Sequence, residues 1–293
     1  MIGPLKLVQP ATVAEACRAL RDLGEKAKVY AGGAELLLLL RNGLVRTEIF
    51  VDVKKIHRLR RLAADNGMLR VGACITHHEL ERSALVRAHA PSLAYAESQV
   101  ANVRVRSQGT IGGNLSFNDP HSDPGTILLV HDADVIVGNQ SGERRIALGE
   151  FFLDMYATAL EPDDLLLEIE IPPLPAGMKG VYRRLHRNQR PTLGAAAAAR
   201  VVHGRLEEVR LAVGCAGPTP RRLRELEAKI AGARPAEAKQ ICAAEKPYLR
   251  DLLRPVDDLL GSAEYKLYMA GVMLGEALEH AANAEKPERW DDS

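Results

Sequence analysis

Apolar positions near the start of the chain alternate between helical spacing and short runs that end at glycine. Helical spacing over 13–23, with Thr12 as a candidate N-cap, predicts an amphipathic helix. Short apolar runs predict strands over 28–31 and 49–53, and a leucine-rich helix over 35–41 lies between them. A strand, a glycine turn, a helix and a second strand in this order are typical of a βαβ unit.

Turn and cap signals divide the middle of the chain into shorter elements. Asparagine before glycine favours a hairpin turn, threonine three residues before glutamate forms a capping box, and aspartate before proline is a common helix start. These signals occur at Asp65-Asn66-Gly67, at Thr76 and Glu79, and at Asp123 and Pro124. They predict a hairpin followed by several short helices.

A proline cluster over 172–175 follows a predicted strand over 165–171, and we interpret it as a domain boundary. Beyond it, apolar segments predict three strands and then helices, which indicates an α+β fold. The predicted strands are 180–185, 195–202 and 206–213, and the predicted helices are 221–231, about 235–243 and 263–284.

These elements predict two domains and a tail. The first domain would have two subdomains, and the second would combine a three-stranded antiparallel sheet with helices. The predicted ranges are 1–175 for the first domain (subdomains about 1–55 and 56–175), 176–284 for the second, and 285–293 for a polar tail.

Charge balance and apolar run length narrow the functional classes. The 293 residues include 39 basic and 38 acidic side chains, and a net charge of +1 argues against nucleic-acid binding. Apolar runs such as the five leucines at 36–40 are far shorter than the roughly 18 residues of a membrane-spanning helix. The first residues lack a basic region followed by an apolar one, so we expect no signal peptide and a cytoplasmic location.

The four cysteines are widely spaced and form no C-x-x-C motif. This spacing is neither a disulfide framework nor a zinc or iron–sulfur ligand set, so we predict isolated thiols and no metal site in this chain. They are Cys17, Cys74, Cys215 and Cys242.

Two glycine pairs beside short apolar segments are the most informative motifs. They lie in Ala31-Gly32-Gly33-Ala34-Glu35-Leu36 and in Gln108-Gly109-Thr110-Ile111-Gly112-Gly113-Asn114. Glycine permits positive φ and leaves room for backbone N–H groups to converge on an anion. Two such loops indicate a ligand with two phosphates, for which a dinucleotide cofactor is the obvious candidate. The spacing is not G-x-G-x-x-G, which disfavours a Rossmann site.

These motifs, with Asp119-Pro120, Asp123-Pro124 and the Gly-Cys-Ala-Gly-Pro-Thr-Pro-Arg segment at 214–221, resemble the medium, FAD-binding subunit of molybdenum hydroxylases. This is the xanthine dehydrogenase and carbon monoxide dehydrogenase family, and the resemblance covers nearly the whole chain. It implies a two-part flavin-binding region of the vanillyl-alcohol-oxidase (PCMH) type followed by a C-terminal α+β domain. It also implies a small partner subunit with two iron–sulfur clusters of the 2Fe–2S type and a large one with molybdopterin.

The resemblance further implies which residues contact the FAD. The first loop would wrap one phosphate and the ribityl side, and the second loop would take the other phosphate side. Asp123 and the backbone of Leu166 match positions that contact the cofactor, and Arg183 stands roughly where some members have a lysine near the flavin. The implied set is Tyr30, Ala31, Gly32, Gly33, Ala34, Glu35, Leu36, Gly109, Thr110, Ile111, Gly112, Gly113, Asn114, Asp123, Leu166 and Arg183.

Other polar motifs favour modest interpretations. His77-His78 is interpreted as a capped helix start rather than a metal pair, because adjacent helical side chains diverge. Asp123, close to His121, is interpreted as an N-cap or a cofactor contact. The basic cluster 183–190 is either a solvated surface or a face for the flavin, the electron acceptor or a partner. No nucleophile or acid–base set is evident, which fits redox chemistry that belongs to a cofactor.

The pair Ala34-Glu35 departs from many relatives, which have Thr or His followed by Asp or Ser. The change removes a side-chain donor to phosphate, and the charge of Glu35 is unfavourable beside a pyrophosphate unless it caps its own helix. No His or Cys occurs in 30–36 or 108–115, so we expect the FAD to be bound without a covalent link.

Three functions remain open at this point. The favoured one is an oxidoreductase subunit that passes electrons from iron–sulfur clusters through FAD to NAD, a quinone, dioxygen or another carrier. The alternatives are an independent flavoprotein oxidoreductase that acts on its own substrate, and an assembly module that has lost FAD.

Overall fold

The structure, a computed structural model, describes residues 4–186 and 190–283. Its first part is a small parallel sheet with a covering helix. The elements are β1 (Lys6–Val8), α1 (Val13–Leu23), β2 (Ala27–Tyr30), α2 (Leu36–Arg41) and β3 (Ile49–Asp52).

The predicted βαβ unit is confirmed, because β2 and β3 pair in parallel on either side of the connection that contains α2. Strand β1, which the apolar pattern does not predict, joins the other edge of β3. The N-cap prediction is also confirmed, since the Thr12 hydroxyl accepts a hydrogen bond from the Glu15 N–H group. Helix α1 buries the side chains of Ala16, Cys17 and Leu20.

The second part combines a five-stranded sheet with short helices. Its elements are β4 (Leu62–Asp65), β5 (Met68–Gly72), α3 (His77–Arg82), α4 (Ala84–His89), α5 (Pro91–Gln99), α6 (Val103–Arg106), α7 (Ile111–Phe117), α8 (Pro124–Val130), β6 (Asp134–Asn139), β7 (Gly142–Ala147), α9 (Leu148–Phe151), β8 (Phe152–Asp154), β9 (Ala157–Thr158) and β10 (Leu165–Ile171). The strand order is β4-β5-β10-β6-β7, with neighbours antiparallel.

Local signals in this part are confirmed. The predicted hairpin joins β4 to β5, and the capping box at Thr76 and Glu79 starts α3. Every residue of β10 is buried, which is expected for the central strand of a covered sheet.

The third part is an antiparallel sheet with helices on one face. Its elements are β11 (Lys179–His186), β12 (Pro191–Val202), β13 (Arg205–Gly214), β14 (Arg221–Arg222), α10 (Arg224–Ile230), α11 (Pro235–Ala244), α12 (Lys246–Leu253) and α13 (Ala263–Asn283). The three predicted strands are confirmed and pair in sequence order. Arg221 and Arg222 extend the sheet as a short fourth strand where the sequence predicted the start of a helix.

Alternation along β11 and β12 gives this sheet two buried faces. Tyr182, Ala196 and Ala198 pack into the core of the preceding parts of the chain, whereas Val181 and Ala195 pack among α10–α13. Successive side chains of a strand point to opposite faces. The even-numbered positions of β11 and β12 therefore face the part of the molecule that contains the glycine loops.

Two predicted features lie outside the described residues. They are the polar tail at 285–293 and residues 187–189 of the basic cluster. Within the described ranges, no helix has both the length and the apolar character that crossing a bilayer requires.

Candidate functional site

The two glycine loops lie against each other. A Cβ atom placed on Gly32 would be only 1.8 Å from the carbonyl oxygen of Gln108, so glycine is required for the two backbones to approach this closely. The first loop follows β2 and the second precedes α7. The sequence motif therefore reports a true tertiary contact between two distant segments.

The first loop is held by an aromatic and a cationic side chain. Gly33 has a φ of +74°, and a Cβ atom there would lie 2.5 Å from the ring of Tyr30. The Tyr30 ring stacks on Phe50 at a centroid distance of 4.9 Å. Lys54 Nζ lies 3.9 Å from the same ring centroid and donates to the carbonyl oxygen of Ala31 at 3.3 Å. These contacts fix the turn that leads into α2.

The first loop presents a row of open backbone donors. Among the described residues, the N–H groups of 32–36 have no hydrogen-bond acceptor, while the Gly33 and Glu35 carbonyls accept from Leu37 and Leu39. Open N–H groups that succeed one another through a positive-φ residue form a concavity that binds anions. The residues of this loop therefore fit a phosphate group.

The second loop is built differently. Residues 111–117 form α7, and the Thr110 hydroxyl caps this helix by accepting from the Gly113 N–H at 3.1 Å. The Ile111 and Gly112 N–H groups donate to the carbonyls of Ile75 and Ala73, at 3.0 and 2.9 Å. Most of the first-turn donors are thus already satisfied within the protein.

The expectation that Gly112 and Gly113 turn the chain with positive φ is wrong. Both lie in the first turn of α7, and neither has a positive φ. Gly112 is needed for packing instead, since a Cβ atom there would lie 2.4 Å from the Cβ of Ala73 and 2.6 Å from its carbonyl oxygen. Gly113 and Asn114 remain at the surface of the loop.

Beneath the second loop lies a buried hydrogen-bonded pair of His77 and Glu97. His77 Nδ1 is 2.6 Å from Glu97 Oε2, and both side chains are almost fully buried. The His77 N–H donates to the Gly109 carbonyl at 3.1 Å, and the imidazole would contact a Cβ atom on Gly109 at 3.1 Å. His77 therefore supports the loop from below, on the helix that the capping box starts.

Asp123 is buried and faces β11. Its Oδ1 accepts a hydrogen bond from the Tyr182 hydroxyl at 2.6 Å and lies 3.1 Å from Arg184 Nε. Asp123 occupies the predicted N-cap position of α8, with Pro124 at the first helical position, but its side chain makes no capping hydrogen bond to that helix. Burial raises the pKa of Asp123 to about 6, although Arg184 and Tyr182 oppose this shift.

The same burial changes the neighbours of Asp123. Burial and the nearby Asp123 charge hold the pKa of the Tyr182 hydroxyl and of the Cys215 thiol well above their usual values. Both groups are therefore neutral at physiological pH. This buried cluster positions one carboxylate and one guanidinium, and it offers no activated nucleophile.

The remaining predicted contacts differ in placement. Arg183 occupies an odd-numbered position of β11, and its guanidinium contacts His280 Nδ1 on α13 at 2.8 Å. The structure does not bring it to the face of β11 that meets Asp123; Arg184 lies there instead. Side chains alternate along a strand, so Arg184 faces the same way as Tyr182 and Arg183 faces the opposite way. The inward position of Tyr182 therefore tells which of the two arginines faces Asp123. Leu166 lies in β10 beyond the end of its pairing with β5, and it pairs with Val137 of β6.

Glu35 does not cap its own helix. Its side chain makes no hydrogen bond at the start of α2, and Oε1 lies 3.8 Å from Arg190 Nη2. Arg190 precedes β12 in the second domain and also binds Asp119 at 2.7 Å. The basic cluster of the sequence thus reaches the first glycine loop through its last member.

Comparison with known proteins identifies the family. Residues 3–174 match the family model for the FAD binding domain in molybdopterin dehydrogenase, and 181–281 match the CO dehydrogenase flavoprotein C-terminal domain. The medium chain of carbon monoxide dehydrogenase from Hydrogenophaga pseudoflava is 30% identical over 274 residues, which are 93% of this chain and 95% of the relative. The xanthine dehydrogenase FAD-binding subunit of Escherichia coli O157:H7 is 29% identical over 94% of both chains.

Solved structures agree with this assignment. The fold matches carbon monoxide dehydrogenase from Hydrogenophaga pseudoflava with a TM-score of 0.91 and 31% identity, over 96% of this chain and 98% of that one. It matches reconstituted CO dehydrogenase from Oligotropha carboxidovorans with the same TM-score, 28% identity and the same coverage. The expected flavin-binding fold is confirmed, and the chain belongs to the family of FAD-binding medium subunits of molybdenum-containing dehydrogenases.

Proposed function

We propose that this protein passes electrons from two iron–sulfur clusters of the 2Fe–2S type, through non-covalently bound FAD, to an external acceptor. The clusters would belong to a small partner subunit, and a large partner subunit would carry molybdopterin. The acceptor would be NAD, a quinone, dioxygen or another carrier, and the complex would work in the cytoplasm. The observation that carries the proposal is the row of open N–H groups at 32–36, pressed against the second glycine loop in a chain of this family.

The residues divide the work of holding FAD. The loop at 30–36 would bind a phosphate through its N–H groups, and Gly113 and Asn114 would line the opposite rim. Gly109, Thr110, Ile111 and Gly112 would keep this rim in place, and Asp123 and Leu166 would lie behind it. FAD supplies the redox chemistry, and the chain supplies binding, orientation and the surrounding charge.

A partner surface is supported by exposed apolar side chains. None of the five leucines at 36–40 is buried; Leu38 is 47% exposed, and Leu44 just beyond the helix is 72% exposed. Leu153 and Met155 on the β8–β9 hairpin are also exposed. Contiguous apolar surface on a soluble protein marks interaction sites. We propose that part of this surface is covered in the assembled complex.

The proposal is tested by removing the flavin and following the clusters. In the assembled complex, Gly33→Val would place a β-branched side chain at positive φ and against Tyr30, and we expect the flavin to be lost. The matched control is Gly149→Ala, where a Cβ atom meets only an ordinary contact at 3.7 Å from Leu129. Anaerobic mixing with the reducing substrate of the complex then follows cluster bleaching and acceptor reduction separately.

Each outcome assigns a function. We expect normal cluster bleaching and lost acceptor reduction in the Gly33→Val complex, with both retained in the control. Loss of bleaching while the subunits and metals remain would place substrate chemistry in this chain and support the independent flavoprotein. A wild-type complex without flavin absorbance would support the assembly module. Flavin fluorescence that stays with acid-precipitated protein would contradict non-covalent binding.

A further inference from the structure

Arg190 connects the second domain to the first glycine loop. Its Nη1 binds Asp119 Oδ2 at 2.7 Å, and its Nη2 lies 3.8 Å from Glu35 Oε1. The side chain is 48% exposed, so the guanidinium is both anchored and open to a ligand. Three segments distant in sequence therefore meet at this one cation.

The two carboxylates hold Arg190 unequally. Asp119 is fixed from its other oxygen, since Oδ1 accepts the His121 N–H at 2.8 Å. The Glu35 contact exceeds hydrogen-bonding distance, and its carboxylate makes no hydrogen bond within the described residues. Asp119 is thus the anchor of Arg190, and Glu35 is a loosely held counter-ion.

The charges at this place do not balance by themselves. Glu35 and Asp119 carry two negative charges against the one positive charge of Arg190, directly beside the open N–H groups at 32–36. Burial raises the pKa of Glu35, opposed by Arg190 and reinforced by Asp119, so the ionised form of Glu35 is disfavoured in this position. Tyr156 belongs to the same electrostatic cluster, since burial and the charge of Asp119 raise the pKa of its phenol while Arg190 opposes the shift.

A pyrophosphate in the first loop would compete with Glu35 for the same cation. Phosphate oxygens bind guanidinium groups in a bidentate, charge-assisted manner that is stronger than a loose carboxylate contact. The phosphate would also replace a flexible side chain that is only weakly held. Glu35, which the sequence marks as unfavourable beside a pyrophosphate, is therefore accommodated because Arg190 stands next to it.

We propose that Arg190 is the cation that the second domain contributes to the phosphate cradle of the first glycine loop, and that Glu35 is the counter-ion that the phosphate displaces. The proposal rests on the proposed function, since it requires that FAD binds in this loop. Both residues would then control the affinity for flavin, and electron transfer itself would not depend on them.

The test is a flavin titration of the flavin-depleted protein, followed by the quenching of FAD fluorescence. We expect Arg190→Gln to weaken FAD binding about ten- to hundredfold, as expected for loss of a charge-assisted hydrogen bond. Arg190→Lys should recover part of the affinity, because it keeps the charge but loses the bidentate geometry. Glu35→Gln should tighten binding about two- to fivefold, since the competing charge is gone.

Matched controls separate this effect from net charge. Arg224→Gln removes a remote, exposed arginine that pairs with Asp132, and Glu264→Gln removes an exposed glutamate that pairs with Arg250. Thermal melts confirm that each variant is folded. Arg190→Gln and Glu35→Gln affinities equal to those of their controls would overturn the inference while leaving the proposed function intact. A wild-type protein that takes up no FAD in the same titration would overturn the proposed function instead.

Discussion

The two glycine loops have nearly the same sequence signature and opposite construction. In the first, Gly33 takes a positive φ and the N–H groups at 32–36 are open. In the second, the glycines are helical, and the Ile111 and Gly112 N–H groups are bound to Ile75 and Ala73. The first loop is a cradle of open N–H donors for an anion, and the second is a packed support in contact with it.

Glycine is required in the two loops for two separate reasons. Gly33 is required for its backbone conformation, because an L side chain is strained in the left-handed region. Gly112 is required for space, because any side chain would collide with Ala73. Substitutions at the two positions should therefore fail differently, one in flavin affinity and the other in stability.

The largest loss of stability is expected in the second loop. Gly112→Ala forces a methyl group into the backbone of Ala73, and we expect about 3 kcal/mol or more of lost stability. Gly113→Ala is the matched variant, since its only close contact is the Thr110 hydroxyl at 2.9 Å and its φ is negative. Urea unfolding should leave this second variant within about 1 kcal/mol of the wild type. Equal stabilities for the two would refute the packing role of Gly112.

The next effect is in the first loop. Gly33→Ala strains a left-handed backbone by about 1–2 kcal/mol, which we expect to appear mainly as about a tenfold weaker FAD affinity. The Tyr30 ring near the new methyl is only partly buried, so we expect the melting temperature to fall little. Calorimetric titration with FAD measures the affinity. A variant that binds FAD as the wild type does would remove the first loop from the cofactor site.

A smaller effect is expected at the cap of α7. Thr110→Ala removes the hydroxyl that accepts the Gly113 N–H, at an expected cost of about 1 kcal/mol of stability. Because this frees one more N–H group at the rim, FAD affinity should change little or rise. A strong loss of flavin at unchanged stability would mean that the Thr110 hydroxyl itself contacts the cofactor.

The smallest effect is a dependence of flavin binding on pH, and it belongs to the first loop alone. The raised pKa of Glu35 means that the side chain is neutral at low pH and charged once pH rises through that pKa. FAD affinity should therefore fall a few-fold as the pH of the titration rises through this raised pKa and Glu35 becomes charged. The slope should disappear in Glu35→Gln. A slope that survives in this variant would show that Glu35 is not its source and would contradict the prediction.

What could be predicted from the sequence was mostly local. Thr12 and Thr76 were recognised as caps because a cap is made by residues three apart. The motifs predicted that both glycine loops serve one ligand, but they did not predict that the two loops touch each other directly. The helical state of Gly112 did not, because it depends on the Ile75 and Ala73 carbonyls accepting the first N–H groups of α7.

Errors arose where a partner comes from another part of the chain. Asp123 stands at the N-cap position of α8 as predicted, but its carboxylate binds Tyr182 and Arg184 on β11 and does not cap the helix. Arg183 was chosen over Arg184 because a family position was matched without knowing which face of β11 is inward. A buried tyrosine next to two arginines fixes that face, but burial follows from tertiary packing and is not visible in the sequence.

The most direct test of the contrast between the loops is amide hydrogen exchange with and without FAD. We expect the amides of 32–36 to exchange rapidly in the flavin-free protein and to become strongly protected when FAD is bound. We also expect the amides of Ile111 and Gly112 to be protected in both states, because their acceptors are within the protein. Rapid exchange at Ile111 and Gly112 that slows with FAD, with no change at 32–36, would reverse the assignment of cradle and support and contradict the account.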